Sequence, residues 1–350
     1  MADRPSVTSG NRLTRRGFLA AGAAGISAVA GCLVHGQDSG LRGVITMDGS
    51  DTVLPHGAAV AYEFQWNNNR VRIPVSGSGT GAGFQRFGRG RSVVQNASRP
   101  ILPGEEELCE KNGVEYVEME MLLDGLAVFV NPENTWCECL TIDQLAAMWE
   151  FGSEIDTWGD VNSEWPDEAV KFFGRDSASG TFDTFTERVT GSIGNIRSDY
   201  SKTSDTNVIV RGVRENPNAI GFGGAGHYYE NEDDLKLVAL DDPDNGGDGC
   251  IVPRRETIED RLYTPLTRSM YVYVNKDALA REEVRAFARF YFEEIDEETH
   301  EYAVEKGIAQ PDESLRWTQW AAREVGYYAV ADDVIEDSEQ RLEDAIAEVA

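Results

Sequence analysis

Three short loops of small and hydroxyl-bearing residues each stand between a strand-like apolar run and a helix-like one. They are Gly49-Ser50-Asp51-Thr52, Gly77-Ser78-Gly79-Thr80-Gly81-Ala82-Gly83 and Arg175-Asp176-Ser177-Ala178-Ser179-Gly180-Thr181. Val44-Ile45-Thr46-Met47, Val71-Arg72-Ile73-Pro74-Val75 and Val170-Lys171-Phe172-Phe173 precede them, and helical spacing follows over 58–66, from Phe84 and from Phe182. Such alternation predicts α/β layering. Further strands are read at 124–130 and 270–274, and a turn plus strand at 216–223. Thr141 caps a helix, and 282–302 and 316–325 read as surface helices with one apolar stripe.

One loop of this composition is what any helix N-cap uses. Three in one chain, one with an arginine at a fixed offset, point to a pocket for an oxyanion. Unpaired N–H groups and the helix dipole favour negative charge at a helix start. Other readings fail on residues. The glycine run carries Ala82 where a dinucleotide fingerprint needs its third glycine, and residues 174–181 lack the lysine and glycine spacing of a Walker A loop. His56, His227 and His300 lie in no pattern that would activate a serine.

The acidic background makes a local anion pocket more telling. The 350 residues hold 61 Asp and Glu against 32 Lys and Arg, a net charge of −29. Acidity spread along the whole chain favours solubility at high salt and predicts a halophilic, archaeal source. Nucleic acid is excluded as a partner, because it needs a basic face. Thr14-Arg15-Arg16-Gly17-Phe18-Leu19 is a twin-arginine export pattern, and the Ala/Gly-rich run over 20–30 is too short to span a bilayer. Val29-Ala30-Gly31-Cys32 resembles a lipoprotein cleavage box with Cys32 as the lipidated residue. Residues 1–32 are therefore expected to be an export signal, 33–43 a flexible linker, and the mature protein a lipid-anchored one on the outer face of the cytoplasmic membrane. Cys109, Cys137, Cys139 and Cys250 remain, which after export allow three disulfide pairings. Cys137-Glu138-Cys139 is not a zinc CxxC and has no histidine near it, so no metal is expected.

Five segments now line up. Gly-Ser-Asp-Thr-Val-Leu-Pro (49–55), Ser-Gly-Ser-Gly-Thr-Gly-Ala-Gly-Phe (76–84), Asn-Ala-Ser-Arg-Pro-Ile (96–101), Asp-Gly-Leu-Ala-Val-Phe-Val-Asn (124–131) and Gly-Arg-Asp-Ser-Ala-Ser-Gly-Thr-Phe (174–182) closely resemble, in family order, the phosphate-binding proteins of ABC importers, the PstS family. The resemblance implies a two-lobed α/β fold of the periplasmic-binding-protein type (type II), with the ligand cleft between lobes joined by crossover strands. Residues 44–123 with 267–350 would form one lobe and 124–266 the other. It implies that Thr52 offers its hydroxyl, Val53 its backbone N–H, Thr80 the family's Ser/Thr donor with Ser78 as fallback, Arg175 the charge, and Ser179, Gly180 and Thr181 hydroxyl and N–H donors. Many members place an Asp that steadies the arginine where this chain has Ser177; Asp176 and Asp183 are the candidates to replace it. The resemblance implies no cofactor and no catalysis. The partners would be inorganic phosphate and a membrane permease, and the receptor a monomer. Physical chemistry agrees, since a dehydrated tetrahedral dianion needs many donors and a forked arginine suits two of its oxygens.

One position departs from the pattern. Many members carry an Asp after the Ser of the third motif, and it accepts the proton that phosphate carries and sulfate lacks. After Ser98 this chain has Arg99, which is either part of the site or a salt bridge on the cleft rim. Asp51 is a candidate substitute acceptor. Another tetrahedral oxyanion, sulfate or arsenate, is therefore the alternative ligand. A phosphatase using Ser179 on the same scaffold, or a sensor for the anion, are the alternatives of other kinds.

Overall fold

The computed structural model describes residues 40–349 apart from residues 178, 204, 230, 243–248 and 265. The export pattern, Cys32 and residues 33–39 lie outside the described residues. The linker expected over 33–43 ends earlier than 43. Leu41 packs against the core, and Gly43–Val44 pairs in parallel with Val71–Arg72.

A nine-stranded mixed sheet organises the chain. Its main path uses β1 (Met47–Gly49), β2 (Val94–Ala97), β3 (Tyr116–Val130), β4 (Lys171–Arg175), β5 (Ser201–Thr203), β6 (Ala219–Gly224) and β7 (Thr267–Asn275). In space the order is β1-β2-β7-β3-β6-β4-β5. The two flanks are parallel, β1 with β2 and β6 with β4 with β5, and the centre is antiparallel. Each flank is built from strand–loop–helix units. The helices that matter here are α1 (Leu54–Asn67), α2 (Thr80–Phe87), α3 (Gly180–Thr190), α4 (Thr206–Arg214), α5 (Trp317–Glu324) and α6 (Asp332–Val349).

The 15-residue strand β3 joins the flanks. Its first part pairs with β7 as far as Gly125, and from Leu126 it pairs with β6. Sequence reading placed only its second half, which is apolar from Leu126 to Val130. Glu118 and Glu120 interrupt the first half, where burial alternates between faces. Beside the change of partner, Met270 faces Leu122 and Tyr271 faces Glu120, so Met121 is an extra residue in the ladder. Such a bulge bends and twists a strand pair. Thr318 Oγ1 donates to the Met121 carbonyl at 3.0 Å and fixes the bend from α5.

Each flank contributes its own group of aromatic contacts to one continuous hydrophobic core. In one, Trp149 meets Phe172, Phe185, Tyr200 and Phe222, and Phe185 stacks on Phe222 at 3.8 Å. In the other, Phe64 packs edge-on to Phe287 and Phe290, and Phe290 stacks on Trp317. That packing corrects the surface reading of 316–325, since Trp317, Trp320, Ala321 and Ala322 of α5 are buried. The single helix read over 282–302 is two, Glu282–Phe290 and Glu297–Glu305. Asp296 starts the second by accepting from Thr299 N at 2.7 Å. Of the cysteines, Cys139 and Cys250 form a disulfide that clamps a three-stranded side sheet. Cys109 and Cys137 are buried thiols, and burial pushes the Cys137 thiol up to about 12.

Candidate anion-binding cleft

The first wall is made where β1 ends. Ser50 N donates to the Asn96 carbonyl at 2.8 Å, Ser50 Oγ accepts from Thr52 N at 3.2 Å, and Leu54 N donates to the Ser50 carbonyl at 3.0 Å. This tight turn delivers Thr52 and Val53 to the start of α1, with Val53 as N-cap and Pro55 in the first turn. First-turn N–H groups have no partner within their own helix. The glycine loop packs directly against this turn, with Ser78 N and Gly79 N both donating to the Gly49 carbonyl at 2.9 and 2.8 Å. A Cβ on Gly83 would lie 2.6 Å from Gly49 Cα, so only glycine lets α2 approach so closely. Gly79, at φ +86°, turns the chain into α2. Thr80 Oγ1 and Ser98 Oγ share a hydrogen bond of 3.0 Å, and Thr80 Oγ1 also accepts from Ser98 N at 3.2 Å. The expected donor Thr80 is thus paired with Ser98, the residue that precedes Arg99. Behind them sits Asp48, 6% exposed. Burial pushes its carboxyl up, but the Arg86 guanidinium and the Gly49 N–H outweigh this and hold it below the usual range.

The second wall begins where β4 ends in Arg175. Tyr200 OH donates to the Arg175 carbonyl at 2.9 Å, and burial pushes that phenol up to about 12, so it stays a donor. Arg175 Nε donates to Ser179 Oγ at 3.1 Å and Nη1 to Thr206 Oγ1 at 2.6 Å. Ser179 is the N-cap of α3, its Oγ also accepting from Thr181 N at 3.2 Å. Two arms of the guanidinium, Nε and Nη1, are therefore held by hydroxyls at the starts of α3 and α4. Asp183, a candidate to steady Arg175, faces a different cation. Burial raises its carboxyl pKa and Arg268 opposes the rise. Ser177 is exposed.

The walls meet at Gly180. A Cβ placed there would lie 3.6 Å from Thr52 Oγ1 and 3.8 Å from the Arg268 guanidinium. Of the remaining candidates, Asp51 is exposed and lies against Gly77. Arg99 forms a two-pronged ion pair with Glu105, both contacts at 2.8 Å, and lies 5.9 Å over the Phe84 ring. Its guanidinium is engaged in the salt bridge that was one of its two readings. Thr206 and Arg268 escaped the sequence reading. Thr206 stands at the start of a separate helix and carries no linear signal, whereas Arg268 left one, a charge inside a strand.

A family model described as a PBP superfamily domain matches residues 34–294. Among curated relatives, Protein SphX of a Synechocystis strain is 37% identical over 250 residues, covering 71% of this chain and 73% of the relative. The phosphate-binding protein PstS of Staphylococcus saprophyticus is 36% identical, covering 69% and 73%. The chain belongs to the PstS family of the PBP superfamily. A solved structure of a possible phosphate binding protein from Planctomyces limnophilus agrees, with 38% identity, a TM-score of 0.67 and coverage of 87% of this chain and 99% of that one. PstS from Borrelia burgdorferi, 20% identical with a TM-score of 0.58, shares the fold. The expected two-lobed α/β architecture of this family is the one the shared sheet builds. Among the described residues no three His, Cys, Asp or Glu gather as a metal site, and no helix is long and apolar enough to cross a membrane.

Proposed function

We propose that this protein captures inorganic phosphate outside the cytoplasm and presents it to an ABC permease, without a chemical step. The single observation that carries the reading is the junction at Gly180. There the N-terminus of α3, with Arg175 locked beside it, stands against Thr52 at the start of α1. Two helix starts, an arginine and the hydroxyls of Thr52 and Ser179 then lie close together, which suits a multiply charged tetrahedral anion. Its ligands are Thr52, Val53, Thr80, Arg175, Ser179, Gly180 and Thr181. The lobes are 44–123 with 267–350, and 124–266, and the anion stabilises their closed arrangement. Relatives named as phosphate-binding proteins support phosphate over sulfate. A hydrolase reading is disfavoured because Ser179 Oγ accepts from Arg175 and Thr181, and no carboxylate or imidazole is among its described partners. The N-terminal pattern supports twin-arginine export and lipidation at Cys32. Calorimetry of the mature protein tests the ligand: phosphate is expected to bind and sulfate to give no saturable heat. Tight sulfate binding without phosphate binding would overturn the proposal.

A further inference from the structure

Asp124 on β3 and Arg268 on β7 are direct cross-strand neighbours, at the point where β3 changes partner. Their side chains are only 7% and 11% exposed. A buried ion pair is seldom the most stable choice for such a position, and this one does more than join two strands. Arg268 Nε and Nη2 donate to Asp124 Oδ2 at 3.1 and 2.8 Å. Its third arm, Nη1, donates to the Gly180 carbonyl at 3.3 Å and to Thr184 Oγ1. Thr184 Oγ1 in turn donates to the same carbonyl at 2.9 Å. The Gly180 carbonyl and the Thr181 N–H are two ends of one peptide unit. A cationic donor on the carbonyl polarises that unit and strengthens its N–H as a donor. The fork also ties the first turn of α3 to the strands that both lobes share.

We infer that Arg268 is a positioning residue for anion capture: aimed by Asp124, it fixes and polarises the Gly180–Thr181 peptide from the crossover strands. This rests on the reading of Thr52, Arg175 and residues 179–181 as the anion's ligands. The pair then acts after the anion has entered, on how long it stays. Removing it should raise the dissociation rate and leave the association rate nearly unchanged.

The test is stopped-flow and calorimetric phosphate binding by the mature protein and four variants, with the melting temperature of each ligand-free protein as a check on folding. Arg268→Lys keeps the charge but cannot serve three acceptors, and is expected to raise the off-rate about tenfold. The double variant R268Q/D124N neutralises the pair without stranding a buried charge, and is expected to raise it at least as much. Thr184→Val removes one arm only and should raise it about threefold. It carries the test if the crossover variants do not fold. In the bound wild-type protein the Thr181 amide proton should resonate further downfield than in Arg268→Lys. Wild-type off-rates in the folded variants, or a loss confined to the on-rate, would overturn the inference. Arg175→Ala separates the two ideas. If it binds normally, the ligand assignment is wrong; if it loses binding while the Arg268 and Thr184 variants keep wild-type off-rates, only the inference fails.

Discussion

The two walls of the cleft hold their donors by different means. On the α1 and α2 side the groups are neutral, and backbone packing sets them in place: Gly49 against Gly83, Ser78 and Gly79 on the Gly49 carbonyl, Thr80 paired with Ser98. On the α3 side a cation does the work, and side-chain hydroxyls aim it. One wall supplies shape and the other charge. In a chain of net charge −29 the cationic groups near the candidate site, Arg175 and Arg268, both gather on the α3 side, where attraction over such short distances is little screened by salt.

The contrast predicts unequal losses. Arg175→Ala should cost the most, about 100-fold or more in phosphate affinity by calorimetry with the fold intact, since a charge-assisted fork is lost. A loss under tenfold would mean that the neutral wall dominates. Next comes pH. His56, fully buried in the first turn of α1, bonds through Nε2 to the Thr318 carbonyl and hydroxyl at 3.2 and 3.1 Å. Burial holds its pKa down, at about 4, against an ordinary 6.5. The unfolded chain thus takes up a proton that the folded one refuses. Stability contributed by the neutral ring is complete above 6.5 and drains away as pH falls from 6.5 to 4, by about 3 kcal/mol in all. Melting curves across that range should flatten in His56→Gln. An unchanged pH slope would remove His56 as the cause. Thr80→Val should weaken phosphate binding by about tenfold. The smallest effect is expected for Arg99→Ala, within about threefold for phosphate, because its guanidinium is already engaged by Glu105. A large loss there would place Arg99 among the ligands and redraw the neutral wall.

Legibility followed the same divide. The loops at 49–52, 77–83 and 175–181 were readable because turn chemistry and helix starts are local, and Thr141 capped its helix as expected. Arg175 could be found, but not what holds it. Thr206, a described partner of Arg175, lies 31 positions away and is brought beside it by the parallel pairing of β4 and β5. The first half of β3 was hidden by its glutamates, and α5 passed for a surface helix because Arg323 and Glu324, with Arg316 before it, masked a buried face. The disulfide partner of Cys139 could not be chosen from spacing, since 111 residues separate the two thiols. The partners of Arg175 and of Cys139 are long-range pairings, and local pattern cannot carry such information.

The placement of β7 has a consequence for how the molecule is made. It lies between β2 and β3, yet residues 124–266 must leave the ribosome before its first residue, Thr267, does. Until then β2 and β3 have no neighbour in common, and the α1 and α2 wall lacks the strand that backs it. The segment between them is continuous in sequence and carries its own aromatic contacts around Trp149, whereas β2, β7 and β3 come together only through contacts of high sequence separation. A chain stopped short of β7 would hold a charged wall with nothing opposite it, so the anion trap comes into being only when synthesis is nearly complete.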